Sequence, residues 1–469
     1  MRALALLLLV ACTPHVTSAI GALSQLPLCS TAVPDDDLDD TAAVQAAIDA
    51  RCCLGPGVHD IDMAPTPPTG RRRYNMLTVA ATGELCGVGA TTVLRFRGDA
   101  GGQDWRGVEH TGGAIHDLTL DTSALIGTSE QTHAVHALGP ATGTVERVTF
   151  NHPIRGTLPG GDCVDLVGYP SQLVTGYTIR DNTFAHCDRG GVQVHSGAVG
   201  LAIDHNLFAD TGDFDIDSEG SGSSSGWTIT RNTFQSSEHN QGAFAIALDL
   251  VDDVTVAHNT LERGVYLYSC THCAIVANVI EASSGHSQNA GTIDAIKGSN
   301  DLTIADNVVR RIAGSDTGPV IHIGPHGTAQ SLDVRITHNQ LEQQTAGDGV
   351  YVEGAAGVTI ADNAIAYAGP TSTSVAAVRV LGSGGASGTA TARVAVVHNT
   401  ITGGFASSVY AAGANGRQGV GSLLATWNAT DRPGLKCENM SGVLGPLVLS
   451  YNSWLAGSCG VPAVPVTLP

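Results

Sequence analysis

"TIRDNTF" at residues 178–184 returns as "TITRNTF" at 228–234 and as "TIADNAI" at 359–365. Each copy holds an apolar position, a short polar stretch, an asparagine and a further apolar position. Aligning on that residue gives Asn182, Asn206, Asn232, Asn259, Asn278, Asn307, Asn339, Asn363 and Asn399, spaced by 24, 26, 27, 19, 29, 32, 24 and 36 residues. A period near 25 with variable insertions is the mark of a solenoid. Between asparagines lies a second run with alternating polarity, usually opened by glycine: "GGVQVHSG" (190–197), "GDFDIDSEG" (212–220), "GVYLYSC" (264–270) and "GVYVEG" (349–354). Each unit therefore contains at least two short strands and no helical periodicity.

Two short strands cannot bury an apolar face alone. Stacked units can, each strand pairing in parallel with its copy about 4.8 Å further along the axis. Val192, Val194, Ile216, Val265, Leu267, Val350 and Val352 then point inward. The asparagine has a matching task at the bend, where backbone polar groups face the core: its amide both donates and accepts, so it can bond the bend and its equivalents above and below. His205, His258, His338 and His398 each precede a ladder asparagine, and repetition at one position points to turn chemistry.

Composition agrees. The 469 residues include 58 glycines and only 4% aromatics, which suits short strands and tight turns. Net charge is −20, from 23 basic and 43 acidic residues, with lysine only at 297 and 436. Nucleic acids and anionic membranes need basic surface and are excluded as partners.

The first 19 residues, "MRALALLLLVACTPHVTSA", read as an export signal too short to span a bilayer. "LVAC" (9–12) has the form of a lipobox that would lipidate Cys12 and anchor an outer-surface or periplasmic lipoprotein. "TSA" (17–19) is a competing cleavage site that would release a soluble extracellular protein. Setting Cys12 aside leaves ten cysteines, an even number that predicts disulfides in an exported chain. Cys163/Cys187 and Cys437/Cys459 are each about one coil apart, and "CTHC" (270–273) reads as a disulfide or packed thiols before a metal pair. The expected layout is a signal (1–19), an N-terminal cap (20–74), a β-helix (75–425) and degenerate terminal coils with a C-terminal cap (426–469).

The repeat resembles the right-handed parallel β-helix of the pectin-lyase-like superfamily over most of residues 75–455. "DDTAAVQAAIDA" (39–50) is an amphipathic helix with Asp40 or Thr41 as N-cap, similar to the helix that opens many β-helix lyases and polygalacturonase-type hydrolases. It would plug the open sheet edge of the solenoid. The implied fold class is all-β, a parallel β-helix with a short capping helix.

Aligning the alternating runs predicts one outward column of Asp165, Gln193, Asp215, Ala247 and Tyr266, and a second of His195, Asp217, Asp249 and Tyr268. Asp162, Asp188, Arg189, Asp213 and Glu219 fall in flanking turns. Carboxylates at one-coil spacing repel, so at least one pKa should rise. Such a row suits acid/base work on a glycosidic bond or Ca²⁺ coordination, with Asp213, Asp215, Asp217 and Glu219 as the metal set. Arg189 and His195 are candidates for the base or for neutralising a substrate carboxylate. The bland reading is a solvated acidic face.

"GDCVDL" (161–166) resembles the Asp-Asp-Cys motif of polygalacturonase-type hydrolases, with Gly161 at the first aspartate and no Arg-x-Lys downstream. "DAIKGSNDLTIADN" (294–307) resembles the Lys-Ser segment of β-helix alginate and chondroitin lyases, which implies a proton-abstracting role for Lys297 beside Ca²⁺. Where that family has an arginine one coil later, this chain has His322. The expected candidate catalytic set is therefore Asp165, Asp188, Arg189, His195, Asp215, Asp217, Asp249 and Lys297, acting on an extended polysaccharide by uronate β-elimination or glycosidic hydrolysis. The alternative is a non-catalytic glycan-binding or structural protein.

Overall fold

The computed structural model describes residues 27–450 except 30–31, 64–72, 128, 153–160, 221–223, 237–243, 284–289, 313–316, 326–328, 371, 373, 383–390, 414–419, 427, 431–434 and 439–446. The export signal with Cys12, and Cys459, lie outside these residues. Among the described residues, no helix is long and apolar enough to cross a membrane.

Helix α1 spans Thr41–Ala50 and turns Val44, Ala47 and Ile48 into the core. Asp40 occupies the N-cap position without a side-chain cap bond. Its neighbour does that work: Asp39 Oδ1 accepts from the Thr41 backbone N–H at 3.0 Å and from the Thr41 hydroxyl. Beyond α1 every registered strand pairing is parallel, in one sheet of 28 strands and another of 14. Each partner lies one coil away, so the strands wind a parallel β-helix around a single apolar core. Val192, Val194, Ile216, Val265, Leu267, Val350 and Val352 all point into it.

The asparagine ladder runs unbroken. Asn182 Nδ2 donates to Asn206 Oδ1 at 3.0 Å, Asn206 repeats this onto Asn232, and the relay passes through Asn259, Asn278, Asn307, Asn339, Asn363 and Asn399 to Asn428. The same Oδ1 also accepts the backbone N–H of the preceding asparagine, and Nδ2 donates to a backbone carbonyl of the coil before, as Asn206 does to Ile179. The residue ahead of each asparagine from Asn182 to Asn399 has a left-handed backbone, with φ of 54° at His205, 58° at His258, 57° at His338 and 57° at His398. Histidine and aspartate tolerate that region better than β-branched residues, which is why they recur at this corner.

The final apolar residue of the motif forms a column of its own. Phe150, Phe184, Phe208 and Phe234 stack with ring centroids 4.9, 4.3 and 4.8 Å apart, and Leu261 and Ile280 continue the row. Among the described residues, four disulfides join Cys29–Cys52, Cys53–Cys86, Cys163–Cys187 and Cys270–Cys273. "CTHC" is thus a disulfide within one corner, and Cys163–Cys187 joins adjacent coils as its spacing predicts.

Candidate functional site

The 14-stranded sheet carries the polar cluster on its outer face. Strand 164–167 pairs with 192–195, and 192–195 with 216–219, setting Asp165 beside Gln193, Gln193 beside Asp217 and His195 beside Glu219. Toward the N-terminus His136 lies beside Asp165 and Glu109 beside His136; toward the C-terminus Ala247 lies beside Asp217 and Tyr266 beside Ala247. The outward row therefore reads Glu109, His136, Asp165, Gln193, Asp217, Ala247, Tyr266.

This corrects the expected register by two residues. Asp217, not Asp215, follows Gln193, and Glu219, not Asp217, follows His195. A two-residue shift preserves which face each side chain occupies, so alternating polarity cannot detect it. Asp215 is withdrawn from the face: it is fully buried, accepting from Arg263 Nη2 at 2.6 Å and from the Thr211 hydroxyl at 2.7 Å. The Asp213 carbonyl accepts a second Arg263 bond, so the turn 211–215 is folded around that guanidinium.

Under the exposed edge lies a buried network. Asp165 Oδ2 accepts from His136 Nδ1 at 2.7 Å and lies 3.3 Å from His133 Nε2. His133 Nδ1 accepts the Asp162 backbone N–H at 3.2 Å, with the Asp162 carboxylate 3.4 Å away. Burial pulls His136 down to about 4, an effect that its bond to Asp165 only partly offsets. His133 is also pulled down by burial, but the Asp165 and Asp162 charges outweigh that and hold it above its ordinary value. Burial raises Asp165, yet the three imidazoles of His133, His136 and His195 hold it well below the usual carboxylate range.

Above this network sit the groups a ligand can reach. His195 lies 3.6 Å from Asp165 Oδ1 and 3.5 Å from Glu219 Oε2. Arg189 donates to Glu219 at 3.2 Å and lies 3.9 Å from Asp162. The side chains of His195, Arg189 and Glu219 are 23%, 19% and 56% exposed, against 1% for Asp165, so only the upper layer is open to solvent. Burial, reinforced by the charges of Glu219 and Asp162 and opposed by a hydrogen bond from Gln193, pushes the Asp217 carboxyl up to about 7. The predicted rise in at least one carboxylate is largest at Asp217, while burial also pushes Asp215 up to about 6 against the opposing Arg263 charge. Several polar atoms here are buried without a hydrogen-bond partner in the protein: His136 Nε2, Asp162 Oδ1 and Oδ2, Asp165 Oδ1 and His195 Nε2. Unsatisfied buried polar atoms are costly, and their concentration makes this face the candidate site.

Of the expected residues, the sheet brings together Asp165, Arg189, His195, Asp217 and Glu219. Asp188 sits in the adjoining turn, its N–H donating to His152 O. Asp249 and Lys297 lie further along the sheet, Asp249 beside Tyr268 and Lys297 over its ring. Burial raises Asp249 while Lys297 opposes the rise, and Lys297 Nζ lies 3.9 Å over the Tyr268 ring. His133 and His136 were not anticipated. They lie before the asparagine ladder begins, and a spacing of three places residues on opposite faces of a regular strand, although their rings are 5.9 Å apart here.

The donor set proposed for Ca²⁺ does not converge, because Asp215 is turned to Arg263. Among the described residues, two groups of three are close enough to share an ion: Glu84, Cys86 and His116, and His133, His136 and Asp165. Cys86 is bonded to Cys53, and within the second group His136 Nδ1 is hydrogen-bonded to Asp165 Oδ2.

The chain is a right-handed parallel β-helix. Residues 169–318 match the family model described as the right handed beta helix region. A comparison with curated proteins finds no match. Among solved structures, the mannuronan C-5 epimerase AlgE6 A-module of Azotobacter vinelandii is 17% identical, covering 90% of this chain and 97% of that one with a TM-score of 0.44. The surface adhesin PfbA of Streptococcus pneumoniae is 13% identical, covering 92% and 91% with a TM-score of 0.40. A GH87 alpha-1,3-glucanase catalytic unit from Streptomyces thermodiastaticus is 14% identical, covering 92% and 70%, also at 0.40.

Proposed function

We propose that this chain is an exported enzyme that cleaves a polysaccharide laid along the outer face of the 14-stranded sheet. The observation that carries the reading is the half-buried patch of His195, Asp217 and Arg189 above an orienting layer of Asp165, His133 and His136. His195 and Asp217 occupy diagonal positions on adjacent coils. An imidazole flanked by two carboxylates, beside a carboxyl that stays protonated close to neutral pH, forms a base and acid pair suited to proton transfer at a glycosidic linkage, whether by elimination or by hydrolysis. Arg189 would receive a substrate oxygen or carboxylate. No step requires the unmatched Ca²⁺ set. Four disulfides support an oxidising, exported location.

The test is incubation of the mature protein with a panel of uronate and neutral glycans. Unsaturated-uronide absorbance identifies elimination, and new reducing ends without it identify hydrolysis. His195→Gln and Asp217→Asn should each lower the rate by about 100-fold or more, while Asp215→Asn should act through stability alone. Binding without turnover across the panel would replace the enzyme with a glycan-binding protein.

A further inference from the structure

C-terminal to Asp217 the same outward row changes character. It continues from Ala247 and Tyr266 through Asp294, His322, Tyr351, Arg379 and Tyr410 to Lys436. Aromatic rings recur along it: Phe244 lies 5.2 Å from Tyr266, Tyr266 lies 6.1 Å from Tyr268, and His322 stacks on Tyr351 at 5.0 Å. Cations stand over these rings. Lys297 is 3.9 Å from the Tyr268 centroid, and Arg379 and Lys436 are 4.5 and 5.6 Å from that of Tyr410. In a chain of net charge −20, both lysines occupy this one face. Three acids along the stretch are drawn aside: Asp294 accepts from His322 at 2.8 Å, Asp348 from Arg379, and Glu353 from the Tyr351 hydroxyl at 2.6 Å, while Asp249, beside Tyr268, faces the Lys297 charge. On the other side of the cluster the outward positions Thr78, Glu109 and His136 carry neither a tyrosine nor a lysine.

From this asymmetry we infer a one-sided binding track for a carboxylate-bearing polysaccharide, running from Asp217 toward the C-terminal coils. It rests on the proposed site and deepens it. The tyrosines, backed by these cations, offer their ring edges and apolar bodies to the sugar units, and Lys297 and Lys436 receive carboxylates. Coils repeat about every 4.8 Å, close to the length of one sugar unit, so successive coils address successive units. The polymer is held mainly on one side of the reacting linkage, and affinity should grow with chain length.

Direct binding tests this independently of turnover, by calorimetry with tetramers and decamers of a polyuronate and of a neutral glucan. Wild type should bind the acidic decamer at least tenfold more tightly than the acidic tetramer, and more tightly than the neutral decamer. Tyr410→Ala and Lys436→Met, each checked for an unchanged melting curve, should lower decamer affinity about tenfold and leave tetramer affinity within twofold. Equal affinity for both lengths, equal affinity for neutral and acidic decamers, or wild-type decamer affinity in both variants would overturn the track. Track behaviour without turnover on any glycan would instead overturn the enzymatic reading and leave the track standing.

Discussion

At the scale of single residues, Asp217 gives the sharpest expectation. Its carboxyl rises from 3.8 to about 7, mainly through burial. Between those values the folded chain keeps a proton that the unfolded chain has lost, so the associated stability is complete below pH 4 and disappears as pH rises through 7. Asp217→Asn has no such proton to lose. Its unfolding free energy should match wild type near pH 4 and exceed it by pH 8, with a gap on the order of 2–4 kcal/mol from the size of the shift and a correspondingly higher melting temperature. Parallel melting curves at both pH values would remove the raised carboxyl and, with it, the acid assigned to the site. Asp215 shows how a residue can be visible in sequence yet misplaced. Its alternation with Asp217 was legible, but its partner Arg263 lies almost two coils onward, and nothing local announces that a guanidinium will draw Asp215 inward.

At the scale of elements, the repeated corner and the stacked phenylalanines make separable contributions. His258 is exposed with φ of 58°, so His258→Gly should be tolerated while His258→Val, forced into a left-handed backbone, should cost roughly 1–3 kcal/mol. Phe208 lies between Phe184 and Phe234 in the core, and Phe208→Ala should cost about 3–5 kcal/mol. Chemical denaturation of the three variants checks the order Gly, Val, Ala. These elements were legible because the same demand recurs every coil: an amide that both donates and accepts, a residue tolerant of positive φ, and an apolar plug. The site was legible only as a face. Period-two alternation identifies which side chains point outward, but pairing across coils depends on how many residues each turn consumes. The turn 209–215 consumed two more than the alignment allowed. His133 and His136 lacked even that signal, since they precede the ladder.

At the scale of the whole molecule, a solenoid couples each coil mainly to its neighbours, so stability should be distributed and not shared evenly. The disulfides divide the described chain accordingly. Cys29–Cys52, Cys53–Cys86 and Cys163–Cys187 tie distant segments in the N-terminal portion, whereas Cys270–Cys273 closes only a corner. From Asn278 to Asn428 the coils depend on the asparagine relay and apolar stacking instead. Removing the cross-links enlarges the set of unfolded conformations open to the segments they close. Reduction should therefore raise amide exchange in the strands between residues 53 and 195, where the buried layer of the site also lies, while strands beyond residue 300 keep their protection. Mass-resolved exchange on oxidised and reduced protein measures this directly. A uniform rise along the chain would mean that the coils open as one cooperative body. In that case, loosening the N-terminal coils would disturb the tyrosine and lysine row as much as His195 and Asp217. A graded rise would allow reduction to impair turnover while leaving binding of long acidic chains nearly intact.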